Sequence, residues 1–164
     1  MKTLYLIKQA KAEKTFEIDH ERPLSETGKE EAKILGKFLK NIEVKPSIIV
    51  SSTAQRALNT AHIIAKKIEV TDEKIIPDKT LYNITANELC QYIATFDDRL
   101  NYIMLVGHNP AIEEALSTIL GNVRINMTTA SVAAIEINCA SWNGFSNHSY
   151  LSFFINSELV KKLF

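Results

Sequence analysis

Three short apolar runs, each ending abruptly in polar residues, constrain the fold of this chain more than any other feature. They cover residues 4–7, 48–50 and 103–106. Unbroken apolar runs of this length are typical of strands that are buried on both faces of a parallel sheet. The runs therefore predict an α/β fold, a three-layer α/β/α sandwich whose central sheet is mostly parallel. We expect these three strands to be central and helices to cover both sides.

Polar side chains follow each of the three runs. Lys8 and Gln9 come directly after the first, Arg56 follows the second within a few residues, and His108 follows the third. In open α/β sheets, ligands bind just beyond the carboxyl ends of the strands. We therefore expect these four side chains to converge on one place. Basic donors at strand ends and helix starts predict a phosphoryl group as the ligand.

Helix-start signals follow the strands. Thr27 with Glu30 three residues later fits a capping box, and Ser25 is a rival cap for the same helix. A second helix is predicted from about residue 53 to 68, judged by its apolar stripe. Thr85 with Glu88 predicts a further capping box. Asn109, followed by Pro110, is predicted to cap the helix after the third strand.

The rest of the chain completes a single predicted domain, residues 1–164. The segment 12–24 is charged and contains a proline, so we expect a loop there. Residues 75–77 predict a short edge strand, because proline is tolerated at sheet edges. Residues 131–138 and 150–155 predict an antiparallel hairpin at the sheet edge, and residues 157–164 a short final helix.

Composition excludes several function classes. The chain has 19 basic and 19 acidic residues and a formal net charge of +0, which argues against bulk electrostatic binding to nucleic acid or to an anionic membrane. Its apolar runs are too short to span a bilayer. Cys90 and Cys139 match no metal spacing, and we expect them to be buried thiols in a reducing cytoplasm. The sequence predicts neither a metal nor another cofactor.

Several stretches together carry a family resemblance. They are residues 4–11, 51–61 and 106–110, supported by residues 19–25 with Gly28, 81–83 and 129–134. The sequence resembles the bacterial phosphohistidine phosphatases of the SixA type, which belong to the histidine phosphatase superfamily and have the phosphoglycerate mutase-like fold. The resemblance runs nearly end to end. Each motif alone is weak, but their order along the chain makes the signal strong.

The resemblance implies a role for each candidate residue. In that family the first strand ends in Arg-His, and this histidine attacks phosphorus. The arginine, a second arginine early in the next helix and a second histidine bind the phosphoryl oxygens. Arg56 and His108 match the helix arginine and the second histidine. Lys8 stands at the first arginine position and Gln9 at the nucleophile position, while Arg22, in a loop bordering the pocket, is expected to have a secondary binding role.

The chemistry of the Lys8-Gln9 pair separates this chain from the family pattern. The nitrogen lone pair of a carboxamide is delocalised into its carbonyl, so Gln9 cannot form a phosphohistidine-like intermediate. Lys8 keeps a positive charge but lacks the planar fork with which arginine binds phosphate bidentately. The first hypothesis is therefore a degenerate member that binds the phosphoryl group of a phosphoprotein or a small phosphate ester with little or no turnover.

Two other hypotheses remain open from the sequence. The protein could be a working phosphatase whose nucleophile is His108, His20 or a water held by Lys8, Arg56 and His108. Alternatively, it could be a non-enzymatic, partner-binding protein with a vestigial pocket. Phosphate affinity separates the last hypothesis from the other two, and turnover of a phosphohistidine peptide separates the second from the first.

Overall fold

The sheet has the predicted central strands. The structure is a computed structural model that describes residues 1–164, apart from the side chains of residues 146 and 147. Its six-stranded sheet has the order β3-β2-β4-β1-β5-β6. The strands are β1 (Lys2–Lys8), β2 (Ile48–Ser52), β3 (Ile75–Asp78), β4 (Tyr102–Gly107), β5 (Ser131–Ile137) and β6 (Ser149–Asn156). The first four are parallel, and β5 runs antiparallel to both β1 and β6.

This topology confirms the predicted α/β class. β1, β2 and β4 lie inside the sheet, β3 forms one edge, and the β5–β6 hairpin closes the other edge. The described helices are α1 (Glu26–Asn41), α2 (Gln55–Lys67), α3 (Ala86–Ala94), α4 (Ala111–Ile119) and α5 (Ser157–Leu163). None of them is long and apolar enough to cross a membrane.

Both faces of the sheet are covered, as the unbroken apolar runs predict. On one face, Tyr5 and Ile7 of β1 share a core with residues of α1, α2 and α5. On the other face, Leu4 and Leu6 share a core with residues of α3 and α4. This alternation along β1 follows from the two-residue period of a strand, and it explains why every position of the run is apolar.

The strand register brings the three carboxyl ends together. Lys8 at the end of β1 pairs with Gly107 at the end of β4, and Ser51 of β2 pairs with Val106. Beyond β1, the backbone N–H of Ala10 donates to Thr60 Oγ1 at 3.0 Å. Thr60 in turn donates to the carbonyl of Arg56 at 2.8 Å, which fixes the first turn of α2 beside the end of β1.

Two predicted helix caps differ from the structure. Ser25, not Thr27, caps α1, because the Gly28 N–H donates to Ser25 Oγ at 3.0 Å. Ser25 has the extended backbone of an N-cap, whereas Thr27 already lies inside the helix and is exposed. Asn109 does not cap α4, which begins at Ala111. The predicted capping box of Thr85 and Glu88 at α3 is confirmed.

Asn109 makes tertiary hydrogen bonds instead of capping α4. Its side-chain amide donates to the Met127 carbonyl at 3.1 Å and to Glu113 Oε2 at 3.3 Å. The amide therefore ties the start of α4 to the segment before β5. The cysteine prediction also holds only in part, because Cys90 is buried but Cys139 is half-buried, and both are free thiols.

Gly28 sits where the chain after β1 crosses α1. A Cβ at this position would lie 1.8 Å from the Lys11 carbonyl oxygen, so no larger residue fits without moving the backbone. The same carbonyl accepts hydrogen bonds from the backbone N–H of Ser25 at 3.0 Å and from its hydroxyl at 3.1 Å. The start of α1 thus holds the segment that follows Lys8 and Gln9.

Replacing Ser25 by alanine should destabilise the protein by about 1 kcal/mol, because the hydroxyl that caps α1 and donates to the Lys11 carbonyl is lost. Thr27→Ala is the matched control, because it removes the hydroxyl that the sequence alone favours as a cap. We expect that control to change the free energy of unfolding by less than about 0.5 kcal/mol. Urea unfolding of both variants measures the difference, and a larger loss for Thr27→Ala would contradict the structure.

Candidate functional site

The site lies at the carboxyl ends of β1, β2 and β4. The structure brings Gln9, Arg56 and His108 together there, as the sequence predicts. Lys8 is the last residue of β1 and is half-buried between Gly107 of β4 and Ser131 of β5. Arg22 reaches the same region from the loop after β1. The roles assigned to these five residues remain predictions, while their proximity is a feature of the fold.

Both ring nitrogens of His108 are hydrogen-bonded. Nδ1 contacts Gln9 Oε1, and Nε2 lies 2.7 Å from Ser52 Oγ. A carboxamide oxygen can only accept, so Nδ1 carries the proton, and Nε2 of the neutral ring accepts from the Ser52 hydroxyl. Gln9 therefore sets the tautomer of His108. In this arrangement neither ring nitrogen is left to face a ligand.

The charge state of His108 agrees with this tautomer. Burial lowers the pKa of His108 to about 4, and the nearby positive charge of Arg56 adds to the effect. The imidazole is therefore neutral at pH 7. As a neutral ring it contributes no positive charge to the site, so the cationic character comes from the arginines and Lys8.

Arg56 is the most deeply buried of the cationic side chains at the site. It lies in the first turn of α2, and its side chain is 8% exposed. Nη1 donates to the Asp19 carbonyl at 2.9 Å, and Nη2 donates to Asp19 Oδ2 at 3.2 Å. Its Nε is also buried, yet among the described residues nothing accepts a hydrogen bond from it. The guanidinium thus retains an unused donor.

Asp19 is the carboxylate that accepts hydrogen bonds from the arginines and the tyrosine of the site. Its Oδ1 accepts from Arg22 Nη2 at 3.0 Å and from Arg22 Nε at 3.2 Å. Its Oδ2 accepts from the Tyr82 hydroxyl at 2.5 Å as well as from Arg56. The hydrogen bond from Tyr82, together with the two arginines, lowers the pKa of Asp19 to about 2. The same hydrogen bond raises the pKa of Tyr82.

Tyr82 also forms an aromatic wall of the site. Its ring meets those of His20 and His108 edge-to-face, with centroids 4.8 and 5.9 Å away. The Arg56 guanidinium lies 6.0 Å from the centroid of the Tyr82 ring. A cleft of about 220 Å³ opens beside this wall, between Tyr82 and Asn83 on one side and His108 and Pro110 on the other. The lining of this cleft includes His108 and Tyr82 but neither Arg56 nor Gln9.

Sequence reasoning assigned no role to three residues that complete the site, namely Ser52, Asp19 and Tyr82. Each lies inside a stretch that carries the family resemblance, and that was the available signal. Their contacts are long-range: Tyr82 and Asp19 are 63 positions apart, so no helical or strand period links them. Among the described side chains, no group of three or more His, Cys, Asp or Glu residues could hold a metal ion.

Comparison with known proteins places this geometry in a family. The model of the histidine phosphatase superfamily (branch 1) matches residues 8–91, about half of the chain. That span includes Lys8, Gln9 and Arg56. An uncharacterized chloroplastic protein of Arabidopsis thaliana is 31% identical over 134 residues, covering 76% of this chain and 60% of that protein. The chain therefore spans about three fifths of the length of this plant relative.

Solved structures extend the similarity over nearly the whole chain. A crystal structure from Agrobacterium tumefaciens, assigned to phosphohistidine phosphatase SixA, is 26% identical with a TM-score of 0.81, covering 94% of this chain and 97% of that one. The protein histidine phosphatase SixA in complex with tungstate has a TM-score of 0.84 at 14% identity, covering 96% and 99%. The latter match concerns the fold alone.

These findings confirm the SixA-like fold and the resemblance drawn from the sequence. The family match includes the end of β1 and the start of α2, which supply Gln9 and Arg56 to the site. The chain belongs to branch 1 of the histidine phosphatase superfamily.

Proposed function

We propose that this protein binds phosphoryl groups, presented by a phosphoprotein or a small phosphate ester, and is degenerate as a phosphatase. The observation that carries the proposal is the buried guanidinium of Arg56 at the strand ends. Burying a cation is costly unless it is paired and hydrogen-bonded. The carboxylate that pairs with it, Asp19, is 54% exposed, so an external anion that displaces Asp19 would meet the same donors.

The donors suit an oxyanion. Arg56 and the Tyr82 hydroxyl donate to one oxygen of the Asp19 carboxylate, and Arg22 donates to the other. Hydrogen bonds from arginine to phosphate are about twice as strong as neutral ones. Lys8, at the end of β1, would add a further positive charge. The tungstate complex of a SixA protein with the same fold supports the choice of ligand.

The loss of turnover follows from the chemistry of Gln9. Its carboxamide has no basic nitrogen, and its oxygen is already used by the Nδ1–H of His108. Removing a nucleophile can cost about a millionfold in rate, as a serine protease series illustrates. We therefore expect no phosphoenzyme on the path that the family uses.

Ser52 and His108 resemble a nucleophile with its base, because Ser52 Oγ is 2.7 Å from Nε2 of His108 and Gln9 orients the ring. Ser52, however, is 0% exposed. A substrate phosphorus cannot reach its hydroxyl without displacing surrounding groups. This chain of hydrogen bonds supports a positioning role for Ser52, in which it holds the neutral ring in place. The Nε2 lone pair of His108, which faces Ser52, is likewise turned away from a ligand.

Arg56→Ala should abolish measurable binding of tungstate or phosphate, and Arg56→Lys should weaken it by about tenfold or more, since the planar fork is lost. Isothermal titration calorimetry at low ionic strength is the measurement. Arg99→Ala is the matched control, because Arg99 is exposed and pairs with Asp97. Equal affinity in wild type and Arg56→Ala would reject a phosphoryl site here.

We also propose that the protein works in a reducing compartment. Two free thiols, Cys90 and Cys139, fit a reducing environment such as the cytoplasm. The ligand we propose is a phosphoryl group accessible at the end of a side chain or on a small molecule.

A further inference from the structure

We propose that Asp19 is a built-in competitor, whose carboxylate occupies the anion position of the site until a phosphoryl group displaces it. The inference rests on the proposed function, since it concerns the ligand of that same site. It adds that, without an external ligand, the Asp19 carboxylate fills the anion position. It also predicts which side chain limits the affinity for an external anion.

Donors from three parts of the chain converge on the Asp19 carboxylate. Arg56 comes from α2, Arg22 from the loop after β1, and Tyr82 from the segment before α3. Their N–H and O–H groups reach the two Asp19 oxygens at 3.2 Å for Arg56, 3.0 and 3.2 Å for Arg22, and 2.5 Å for Tyr82. Four donors around one anion form the environment that a phosphoryl group requires.

The two partners of the Arg56–Asp19 ion pair differ in burial. The Arg56 side chain is 8% exposed and the Asp19 side chain 54%, so the cation is fixed and the anion lies at the surface. The buried guanidinium needs an anionic partner, and a carboxylate at the surface can be exchanged for another anion. A divalent oxyanion would compete well with a single carboxylate for the same buried guanidinium.

The segment that carries Asp19 makes few apolar contacts with the core. It is tied at its base, where Ala12 and Leu24 form an isolated bridge and the Glu13 N–H donates to the Pro23 carbonyl at 2.9 Å. At its tip, Phe16 and Ile18 are 51% and 52% exposed. The main chain at Asp19 is held by Arg56 Nη1 at 2.9 Å and His20 Nε2 lies 2.8 Å from Thr53 Oγ1, so we infer that displacement moves the Asp19 side chain, with little loss of apolar contact.

Competition of this kind lowers the apparent affinity for an external anion, because a ligand binds only the fraction of molecules in which the site is free. Asp19→Asn removes the negative charge, yet it leaves the main-chain carbonyl that accepts from Arg56 Nη1. We expect this variant to bind tungstate or inorganic phosphate about tenfold more tightly than wild type.

Glu21→Gln is the matched control, because it removes one negative charge from the same exposed turn. Calorimetry with sodium tungstate, and separately with inorganic phosphate, should give wild-type affinity for Glu21→Gln and a gain for Asp19→Asn. Asp19→Ala, as a second variant, should show the same gain. Adding Arg56→Ala to Asp19→Asn should abolish the binding. Thermal unfolding of each variant establishes that it is folded.

Two outcomes would overturn the inference in different ways. If wild type binds through Arg56 but Asp19→Asn binds equally or more weakly, Asp19 is a support for Arg56 and the competitor role is wrong, while the proposed function stands. If neither wild type nor the folded Asp19→Asn variant binds tungstate or phosphate, the phosphoryl site itself is wrong, and the inference falls with it.

Discussion

Changing Gln9 to histidine and Lys8 to arginine should give a protein that hydrolyses phosphohistidine at least about a hundredfold faster than the wild type, which should be near background. Gln9→His restores an imidazole at the position where the family has its nucleophile. Arg56 already lies at the same strand ends, where we expect it to stabilise the transferring phosphoryl group, and loss of the Gln9 carboxamide frees the Nδ1–H of His108. Lys8→Arg adds the bidentate contact.

Phosphate release from a phosphohistidine peptide measures this gain, and an acid-labile, base-stable phosphoenzyme should appear in the double variant. Lys8→Arg alone is the matched control, because it restores the fork without a nucleophile. The gain is only a fraction of the roughly millionfold that a nucleophile can contribute, since Arg56 and His108 are already engaged by Asp19 and Ser52. Equal activity in Lys8→Arg and in the double variant would contradict the assignment of Gln9 to the nucleophile position.

The free energy of unfolding of the wild type should fall by about 2 to 3 kcal/mol more than that of His108→Gln when the pH is lowered from 7 to 4. The folded-state pKa of His108 is about 4, against 6.5 for an unperturbed histidine. Between these values the unfolded state binds a proton that the folded state does not. Stability from this group is therefore present above pH 6.5 and is lost as the pH falls towards 4.

Chemical denaturation at several pH values tests this dependence. Asp19, whose pKa is lowered to about 2, has an effect of the same sign, but that effect develops mainly below pH 4 and so outside the window. His148→Gln is the matched control at an exposed histidine and should follow the wild-type curve. Parallel curves for wild type and His108→Gln between pH 7 and 4 would mean that His108 is not buried as a neutral ring.

The strand ends were predictable because their signal is local. Residues 4–7 and 103–106 are apolar at every position, as two-sided burial requires, and the polar residues after them mark where each strand stops. Neighbouring parallel strands then have their carboxyl ends on the same side of the sheet. Gln9, Arg56 and His108 could thus be brought together from the sequence without knowledge of any side-chain contact.

The remaining parts of the site depend on contacts that no local pattern encodes. Asp19 lies in a charged loop whose conformation is set by Arg56, 37 positions later, and by Tyr82, 63 positions later. The choice of Ser25 over Thr27 as the cap of α1 depends on the Lys11 carbonyl, which Ser25 contacts. Asn109 fits the N-cap pattern, yet the Met127 carbonyl accepts from its side chain instead.

The most direct test is to incubate the wild type with a phosphohistidine peptide and to follow both binding and phosphate release. It asks whether the protein binds phosphoryl groups without catalysing the reaction of its family. We expect saturable binding that Arg56→Ala abolishes, release at the rate of buffer alone, and no acid-labile, base-stable phosphoenzyme. Robust wild-type turnover that is lost in His108→Ala but survives in Gln9→Ala would contradict this expectation, because the protein would then be an enzyme with a relocated nucleophile.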